Sequence, residues 1–165
     1  MSSLIIQPTL TDLEIQSTVA LGKEIWTEHY SPIIGLNQVN YMLNKFQSLE
    51  AIKNQIKDGY FYYNLKIDKN QIGYFSVQHR KDKLFLSKVY IHKSLRGNGY
   101  FNQVLKFIEN IAKENRFPRI ELTVNKYNKN SISIYLTKGF TIIEETIFDI
   151  GQDYIMDDYI LTKSI

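Results

Sequence analysis

The turn Arg96-Gly97-Asn98-Gly99-Tyr100-Phe101 contains the residue types of an anion-binding site. Two glycines flank an asparagine, and these residues accept unusual backbone angles and let a ligand approach the main chain without a Cβ in the way. The first amides of a helix after such a turn have no partner inside the helix and carry partial positive charge. The turn therefore predicts a phosphate or pyrophosphate site, with Arg96 as a fixed charge beside it.

The glycine turn has other interpretations besides phosphate binding. Glycine is an ordinary connector between a strand and a helix, which explains the turn in isolation at least as well. A nucleoside triphosphate loop would need Lys-Ser or Lys-Thr after a second glycine, and a dinucleotide fingerprint would need a third glycine. Neither pattern is present. Whether the turn binds phosphate or only connects two elements therefore has to be judged from the segments on either side of it.

The residues on either side of the turn predict a strand that leads into a helix. From Leu84 to Ile91, aromatic, β-branched and aliphatic residues crowd into a short run, which is typical of a largely buried strand. After the turn, apolar residues recur at helical spacing, at Phe101, Val104, Leu105, Ile108, Ile111 and Ala112. The glycine turn is therefore expected at the start of a helix.

Two segments of the chain resemble the acetyl-coenzyme A binding core of the GNAT superfamily of N-acetyltransferases. The family signature is Arg or Gln, two residues, Gly, one residue, then Gly or Ala; Arg96 and Gly99 fill the first two fixed places, and Phe101 departs at the third. A second family pattern is held by Asn128, Tyr135 and Gly139-Phe140, in the expected order along the chain. The resemblance implies acetyl-CoA as the cofactor and acetyl transfer as the activity.

The resemblance also implies which residues form the site. The pantetheine arm would bond the main chain at Val89 and Ile91, and the amides from Gly97 to Phe101 would hold the pyrophosphate. The implied cofactor-binding residues are Val89, Tyr90, Ile91, Arg96, Gly97, Asn98, Gly99, Tyr100, Phe101, Asn128, Ser131 and Tyr135.

Two groups are implied in the chemistry itself. A main-chain amide near Val89 would stabilise the developing charge on the thioester oxygen, and Tyr135 would donate a proton to the departing thiolate. The alternative for Tyr135 is that it packs the short helix on the sheet, with its hydroxyl bonded to the backbone. Position relative to Asn128 and Gly139-Phe140 favours the catalytic interpretation.

The sequence motifs identify the general base and the acceptor site less closely than they identify the cofactor-binding residues. Some family members place a glutamate on the central strand, but residues 84–91 contain no carboxylate, so a water chain or a distal residue is expected to act, with Glu28, His29 and His92 as candidates. The acceptor-site candidates are Glu28, His29, Tyr62 and Asp157. Tyr60 and Tyr63, beside Tyr62, are either acceptor-pocket residues or ordinary strand aromatics.

The closing hairpin is locally acidic. It contains Glu144, Glu145, Asp149, Asp153, Asp157 and Asp158, with no lysine or arginine between Gly139 and Thr162. An acidic rim would favour a cationic amine. The equally supported alternative is a solvated hairpin whose edge charges prevent strand pairing between molecules.

Composition predicts one domain, residues 1–165, without a metal site. A chain of 165 residues with 44% hydrophobic composition can bury a sizeable core. There is no cysteine, and the three histidines are scattered. We expect a cytoplasmic monomer or homodimer without membrane association, because no stretch has the length and apolarity of a bilayer span. The formal net charge of +3 is too small to favour nucleic-acid binding.

The remaining elements alternate irregularly between helix and strand. Strands are predicted at residues 4–7, 60–67, 71–79, 120–124, 141–150 and 154–162. Helices are predicted from the capping box at Thr11 to a stop at Ser31-Pro32, and at residues 35–46, 49–57 and about 130–138. This order predicts a mixed α/β (α+β) fold. The resemblance implies a mostly antiparallel twisted sheet of about seven strands with a splayed central pair, flanked by about four to five helices.

Taken together, the sequence favours an acetyl-CoA-dependent N-acetyltransferase acting on a primary amine of a small molecule, including a polyamine-like one, or of a peptide. A non-catalytic acyl-CoA sensor that keeps the cofactor cleft is the main alternative. A nucleic-acid binder that uses the turn from His79 to Lys83 is a third, disfavoured by Asp82 within that turn.

Overall fold

The computed structural model describes residues 2–165, and within them it contains one seven-stranded sheet and five α-helices. The strands are β1 (Leu4–Pro8), β2 (Tyr60–Ile67), β3 (Asn70–His79), β4 (Leu84–Ile91), β5 (Arg119–Asn125), β6 (Thr141–Gly151) and β7 (Tyr154–Ser164). The helices are α1 (Asp12–Ile34), α2 (Leu36–Phe46), α3 (Leu49–Lys57), α4 (Tyr100–Glu114) and α5 (Lys129–Thr137). The predicted fold class is confirmed.

The sheet is antiparallel except at its centre. Its strand order is β1-β2-β3-β4-β5-β7-β6, and β4 and β5 are the parallel pair among the described residues. On one face, Val104 and Ile108 of α4 share an apolar cluster with Leu122 of β5. On the other face, α1, α2 and α3 bury residues such as Trp26 and Ile52. Helices therefore cover both faces of the central strands.

Helix α1 continues through Pro32, so the predicted stop at Ser31-Pro32 is wrong. Its start is as predicted, because Thr11 and Glu14 form a capping box. Proline removes one hydrogen bond, but the next turn is kept, since the Gly35 N–H still donates to the Ser31 carbonyl at 3.0 Å. Gly35, with a φ of 87°, then ends the helix.

The other predicted bounds agree closely with the structure. Ser48 caps α3 by accepting from the Ala51 N–H at 3.2 Å, and β3 begins at Asn70, one residue before its predicted start. Leu13, in the first turn of α1, is 77% exposed. Among the helices of residues 2–165, none combines the length and the apolarity needed to cross a membrane.

Candidate active site

Strands β4 and β5 separate midway along their length. Residues 84–86 pair with residues 120–122, and no further pairs join the two strands within the described chain. A β-bulge lies at the same point, because the β3–β4 register shifts between Ser76 and Val77 and leaves Ser87 as an extra residue in β4. From Ser87 to Ile91, one edge of β4 therefore has no neighbouring strand.

A cavity of about 1160 Å³ opens into this gap. Its walls are β4 with the glycine turn, the end of β5 with α5, and the facing parts of α1 and α2. Among the residues that line it are Val89, Tyr90, Ile91, Arg96, Gly97, Gly99, Tyr100, Phe101, Asn128, Ser131 and Tyr135. These are the predicted cofactor-binding residues except Asn98, so the fold brings the two sequence motifs to one cavity.

The glycine turn presents free main-chain amides to this cavity. The N–H groups from Gly97 to Asn102 have no hydrogen-bond acceptor within residues 2–165, and no side chain caps α4. Gly97 and Gly99 have φ angles of 81° and 80°, which glycine adopts without strain. Apart from the glycine itself and its two neighbours in the chain, no atom of residues 2–165 lies within 4 Å of the position where a Cβ would be at either glycine. Open amides at a helix N-terminus form an anion-binding site.

The main-chain groups of Val89 and Ile91 face the open edge of β4. The His92 N–H donates to the Ile72 carbonyl at 2.7 Å, toward β3. Because peptide groups along a strand point alternately to its two edges, Val89 and Ile91 point away from β3. The Ile91 carbonyl already accepts from Nε of Arg96 at 3.0 Å. The Val89 N–H and C=O and the Ile91 N–H are therefore the groups left for a ligand beside β4.

Asn98 and Glu28 lie behind the turn rather than on the cavity wall. The Asn98 side-chain amide donates to the Leu95 carbonyl at 3.1 Å, which stabilises the turn from within. Glu28 Oε2 lies 3.7 Å from Nη2 of Arg96, and Oε1 lies 3.8 Å from Nζ of Lys93. Glu28, a candidate base and acceptor ligand, is thus engaged by the cations of the turn.

Tyr135 is held by its ring and free at its hydroxyl. The ring makes edge contacts with Phe101 and Phe140, at centroid distances of 5.8 and 5.4 Å. No hydrogen-bond partner of the hydroxyl is found in the part of the chain that the structure describes, so the backbone-bonded alternative for Tyr135 is not observed. Burial raises the pKa of Tyr135. Phe101, where the family signature has glycine or alanine, fills the space beside this ring.

The opposite wall of the gap is formed by the start of α5. Asn128 is 4% exposed, and its side-chain oxygen accepts from the Ser131 N–H at 3.4 Å as the helix N-cap. Asn125 Oδ1 accepts from the Tyr127 N–H at 2.9 Å and fixes the preceding turn. The cap uses the oxygen of Asn128 and leaves its amide nitrogen for a ligand.

Of the four acceptor-site candidates, His29 lines the cavity, whereas Glu28, Tyr62 and Asp157 do not. Tyr62 is 3% exposed, and its hydroxyl bonds Gln55 and Gln47. Burial, together with the positive charge of Arg96, lowers the pKa of His29. The imidazole is therefore neutral at neutral pH.

The other residues considered for base or acceptor roles are engaged elsewhere. His92 contacts Glu24 through Nε2 at 2.7 Å and Ser94 through Nδ1 at 2.8 Å. In the closing hairpin, Lys126 lies 2.9 Å from Asp157 and 3.4 Å from Glu145, so a lysine outside the hairpin offsets part of its acidity.

Lys88 and Asp158 line the cavity, although the sequence suggested no individual role for either. Lys88 Nζ donates to Gln55 Oε1 at 3.3 Å and Ser87 Oγ at 3.1 Å, and no carboxylate pairs with it among the described residues. Burial lowers the pKa of Lys88 to about 8. Strand periodicity could have identified Asp158, because Asp157 and Asp158 must face opposite sides of β7.

The basic turn at residues 79–83 makes intramolecular contacts. Lys83 pairs with Glu121 at 2.9 Å, and Asp82 pairs with Arg119 at 2.8 Å. The Arg80 guanidinium lies 3.8 Å from the centroid of the Phe85 ring. These contacts do not support the nucleic-acid alternative.

The known proteins that this chain resembles in sequence and in structure are acetyltransferases. The model of the acetyltransferase (GNAT) family matches residues 24–140. An uncharacterized N-acetyltransferase of the pepI 3′ region in Lactobacillus delbrueckii subsp. lactis is 22% identical over 165 residues, covering 94% of this chain and 95% of the relative. The PaiA N-acetyltransferase of Thermoplasma acidophilum, solved with coenzyme A, superposes with a TM-score of 0.84 at 19% identity, covering 99% of both chains. An acetyltransferase of Streptococcus agalactiae 2603 superposes with a TM-score of 0.75 at 17% sequence identity, covering 100% of both chains.

Proposed function

This chain belongs to the GNAT family of acetyltransferases, whose model matches residues 24–140, and we propose that it transfers the acetyl group of acetyl-CoA directly to a primary amine of a small molecule or peptide. We also propose that residues 1–165 form a single N-acetyltransferase domain. The observation that supports acetyl transfer most strongly is that one cavity joins the unpaired edge of β4 at Val89 to the free amides of the glycine turn.

The chemistry and size of the cavity fit acetyl-CoA. Free amides from Gly97 to Asn102, with Arg96 beside them, match a diphosphate. The amides of a pantetheine arm can bond the open strand edge at Val89 as an added strand does. A volume of about 1160 Å³ exceeds that of ordinary single-ligand pockets and leaves space for an acceptor. When bound, acetyl-CoA supplies an acetyl group activated as a thioester.

We assign the Val89 N–H and the Tyr135 hydroxyl to the acyl-transfer step. A fixed N–H directed at the carbonyl oxygen stabilises negative charge that develops there. The Tyr135 phenol is protonated at neutral pH, so it can give a proton to the departing sulfur; burial, which raises its pKa, makes it a weaker acid than an exposed phenol. The absence of a partner for this hydroxyl among residues 2–165 supports a catalytic role over a packing role.

The acceptor end of the cavity favours an amine with one positive charge. Its lining includes apolar side chains such as Met42, Phe46 and Met156, together with the unpaired Lys88 ammonium. A second cationic group near Lys88 would be repelled, whereas a neutral or anionic group would be accepted. We therefore propose a monoamine with an apolar body in preference to the polyamine-like acceptor that the acidic hairpin suggested.

Release of free thiol from acetyl-CoA tests this proposal. The panel contains aliphatic monoamines, amines with a distal carboxylate, polyamines, and peptides with a free α-amino group. We expect thiol release with at least one amine and formation of the matching acetamide. Acetyl-CoA binding without release for any amine would favour the sensor alternative, and failure to bind acetyl-CoA would contradict both.

A further inference from the structure

Asp158 is a buried carboxylate that faces the cavity without a partner. It is 3% exposed and lines the cavity. Neither a hydrogen bond nor an ion pair to the side-chain carboxylate of Asp158 is found within residues 2–165, whereas Asp157 on the opposite side of β7 pairs with Lys126 at 2.9 Å. An ionised carboxylate is costly to bury without a partner. This position therefore indicates an interaction with something that enters the cavity.

Its place in the fold puts Asp158 across the gap from β4. In the β5–β7 register, Asp158 lies opposite Asn125, at the end of β5 that borders the gap. Burial raises the pKa of Tyr30 on α1, and the charge of Asp158 adds to this shift. The Tyr30 hydroxyl in turn lies 3.2 Å from that of Tyr90 on β4. Asp158 thus belongs to the wall that faces Val89, where the acceptor nitrogen must approach.

We propose that Asp158 accepts the proton that the acceptor nitrogen loses as it attacks the thioester. This inference rests on the proposed function. A neutral primary amine forms a bond from nitrogen to the acetyl carbon, the carbon–sulfur bond breaks, the nitrogen proton passes to Asp158, and Tyr135 gives its proton to the sulfur. After the products leave, Asp158 releases its proton to solvent and Tyr135 takes one from solvent, which restores both groups.

The acid–base properties of Asp158 suit this role. Burial, reinforced by the charge of Asp157, raises the pKa of Asp158 to about 6. The carboxylate is therefore ionised at neutral pH and more basic than an exposed aspartate. Its cross-strand neighbours, Asn125 on β5 and Thr146 on β6, do not titrate. The titratable groups around Asp158 and Tyr30 are His29 on α1, whose ring centroid lies 4.8 Å from that of Tyr30, Tyr90 on β4, Tyr135 on α5 and Asp157 on β7.

Two other residues are compared with Asp158 as bases. His29 lines the cavity near Arg96 and Asn128. Its ring centroid lies 4.8 Å from that of Tyr30, so the His29→Gln variant below separates its role from that of Asp158. Glu121 on β5 pairs with Lys83 at 2.9 Å and is not part of the lining. Asp158 is the carboxylate of the cavity wall among the described residues.

Asp158→Asn tests the proposal against Asp153→Asn, the same change at an exposed residue of the turn between β6 and β7. With the best acceptor from the thiol-release panel, we expect Asp158→Asn to lower kcat about 100-fold or more, and Asp153→Asn to have little effect. In the wild type, log kcat/KM should rise with pH with a slope of about two below pH 6 and about one above it, because Asp158 and the amine must both be deprotonated. In Asp158→Asn the slope of log kcat/KM against pH should be about one throughout, because only the amine then has to lose a proton.

A readout independent of activity is the pH dependence of stability. The folded-state pKa of Asp158 lies above its ordinary value of 3.8, so the wild type should lose stability relative to Asp158→Asn as the pH rises from about 4 to 6. A constant difference would overturn the proposal. The proposal would also be overturned if Asp158→Asn kept the wild-type kcat and the wild-type slope of log kcat/KM. It would be overturned likewise if the slope of two below pH 6 fell to one in His29→Gln instead of in Asp158→Asn. Either result would leave the proposed acetyl transfer intact. A wild type that acetylates no amine would overturn the proposed function as well.

Discussion

Nε of Arg96 donates to the main-chain carbonyl of Ile91 at 3.0 Å, which ties the glycine turn to the last residue of β4. The bond fixes the free amides of the turn relative to the open strand edge that begins beside Val89. A ligand that uses both features needs this spacing, because its diphosphate and its amide-containing arm are covalently joined. Arg96 therefore has a positioning role in addition to its charge.

Arg96→Ala should weaken acetyl-CoA binding about tenfold, because both the tether to Ile91 and a charge beside the diphosphate are lost. Calorimetric titration of the purified chain with coenzyme A measures the change. Lys93→Ala is the matched control, since Lys93 also lies near Glu28 and its side chain is 72% exposed. Equal losses in the two variants would show that only net charge matters.

Tyr135→Phe should lower kcat about 100-fold and leave the Kd for acetyl-CoA unchanged. The ring contacts with Phe101 and Phe140 are kept, so the substitution removes the proton donor and little else. Steady-state kinetics and equilibrium binding separate the two effects. Tyr127→Phe, at a position that is 64% exposed, is the control. Unchanged turnover would remove Tyr135 from its assigned role.

Gly99→Glu should weaken acetyl-CoA binding about tenfold more than Gly99→Gln does. Both substitutions place a side chain at a φ of 80°, so they share the backbone strain. Glutamate alone adds a negative charge beside the diphosphate site. Binding is measured by calorimetry after the fold is checked by circular dichroism. Normal binding of Gly99→Glu would place the phosphate elsewhere, and equal losses would assign the effect to strain.

Lys88→Met should stabilise the fold by about 1–2 kcal/mol at pH 7, because it removes a desolvated ammonium that has no carboxylate partner. The folded-state pKa of Lys88, about 8, lies below its ordinary value of 10.5. Between these values the unfolded chain binds more protons, so the wild type gains stability as the pH rises.

The advantage of Lys88→Met should therefore shrink between pH 8 and pH 10.5, which urea unfolding at several pH values measures. Lys93→Met serves as the exposed control. An advantage that does not vary with pH would mean that Lys88 keeps its ordinary pKa.

The strand from Leu84 to Ile91, the glycine turn and the helix after it could be predicted from the sequence because their signals are local. Apolar spacing identifies the period of each element, and glycines between them identify the turn. The capping box at Thr11 was predicted correctly for the same reason, since it is made by residues three positions apart. Pro32 misled because tertiary packing can keep a helix through a residue that disfavours it.

The sequence by itself determined the order of elements and the two motifs, because hydrophobic period, turn residues and caps depend on neighbours along the chain. The tertiary structure alone decided where β4 and β5 part, that Lys126 engages Asp157, and that Asp158 faces the cavity. Those outcomes depend on contacts between residues far apart in sequence, and a side chain's partner and burial are set only when its strand takes its place in the sheet.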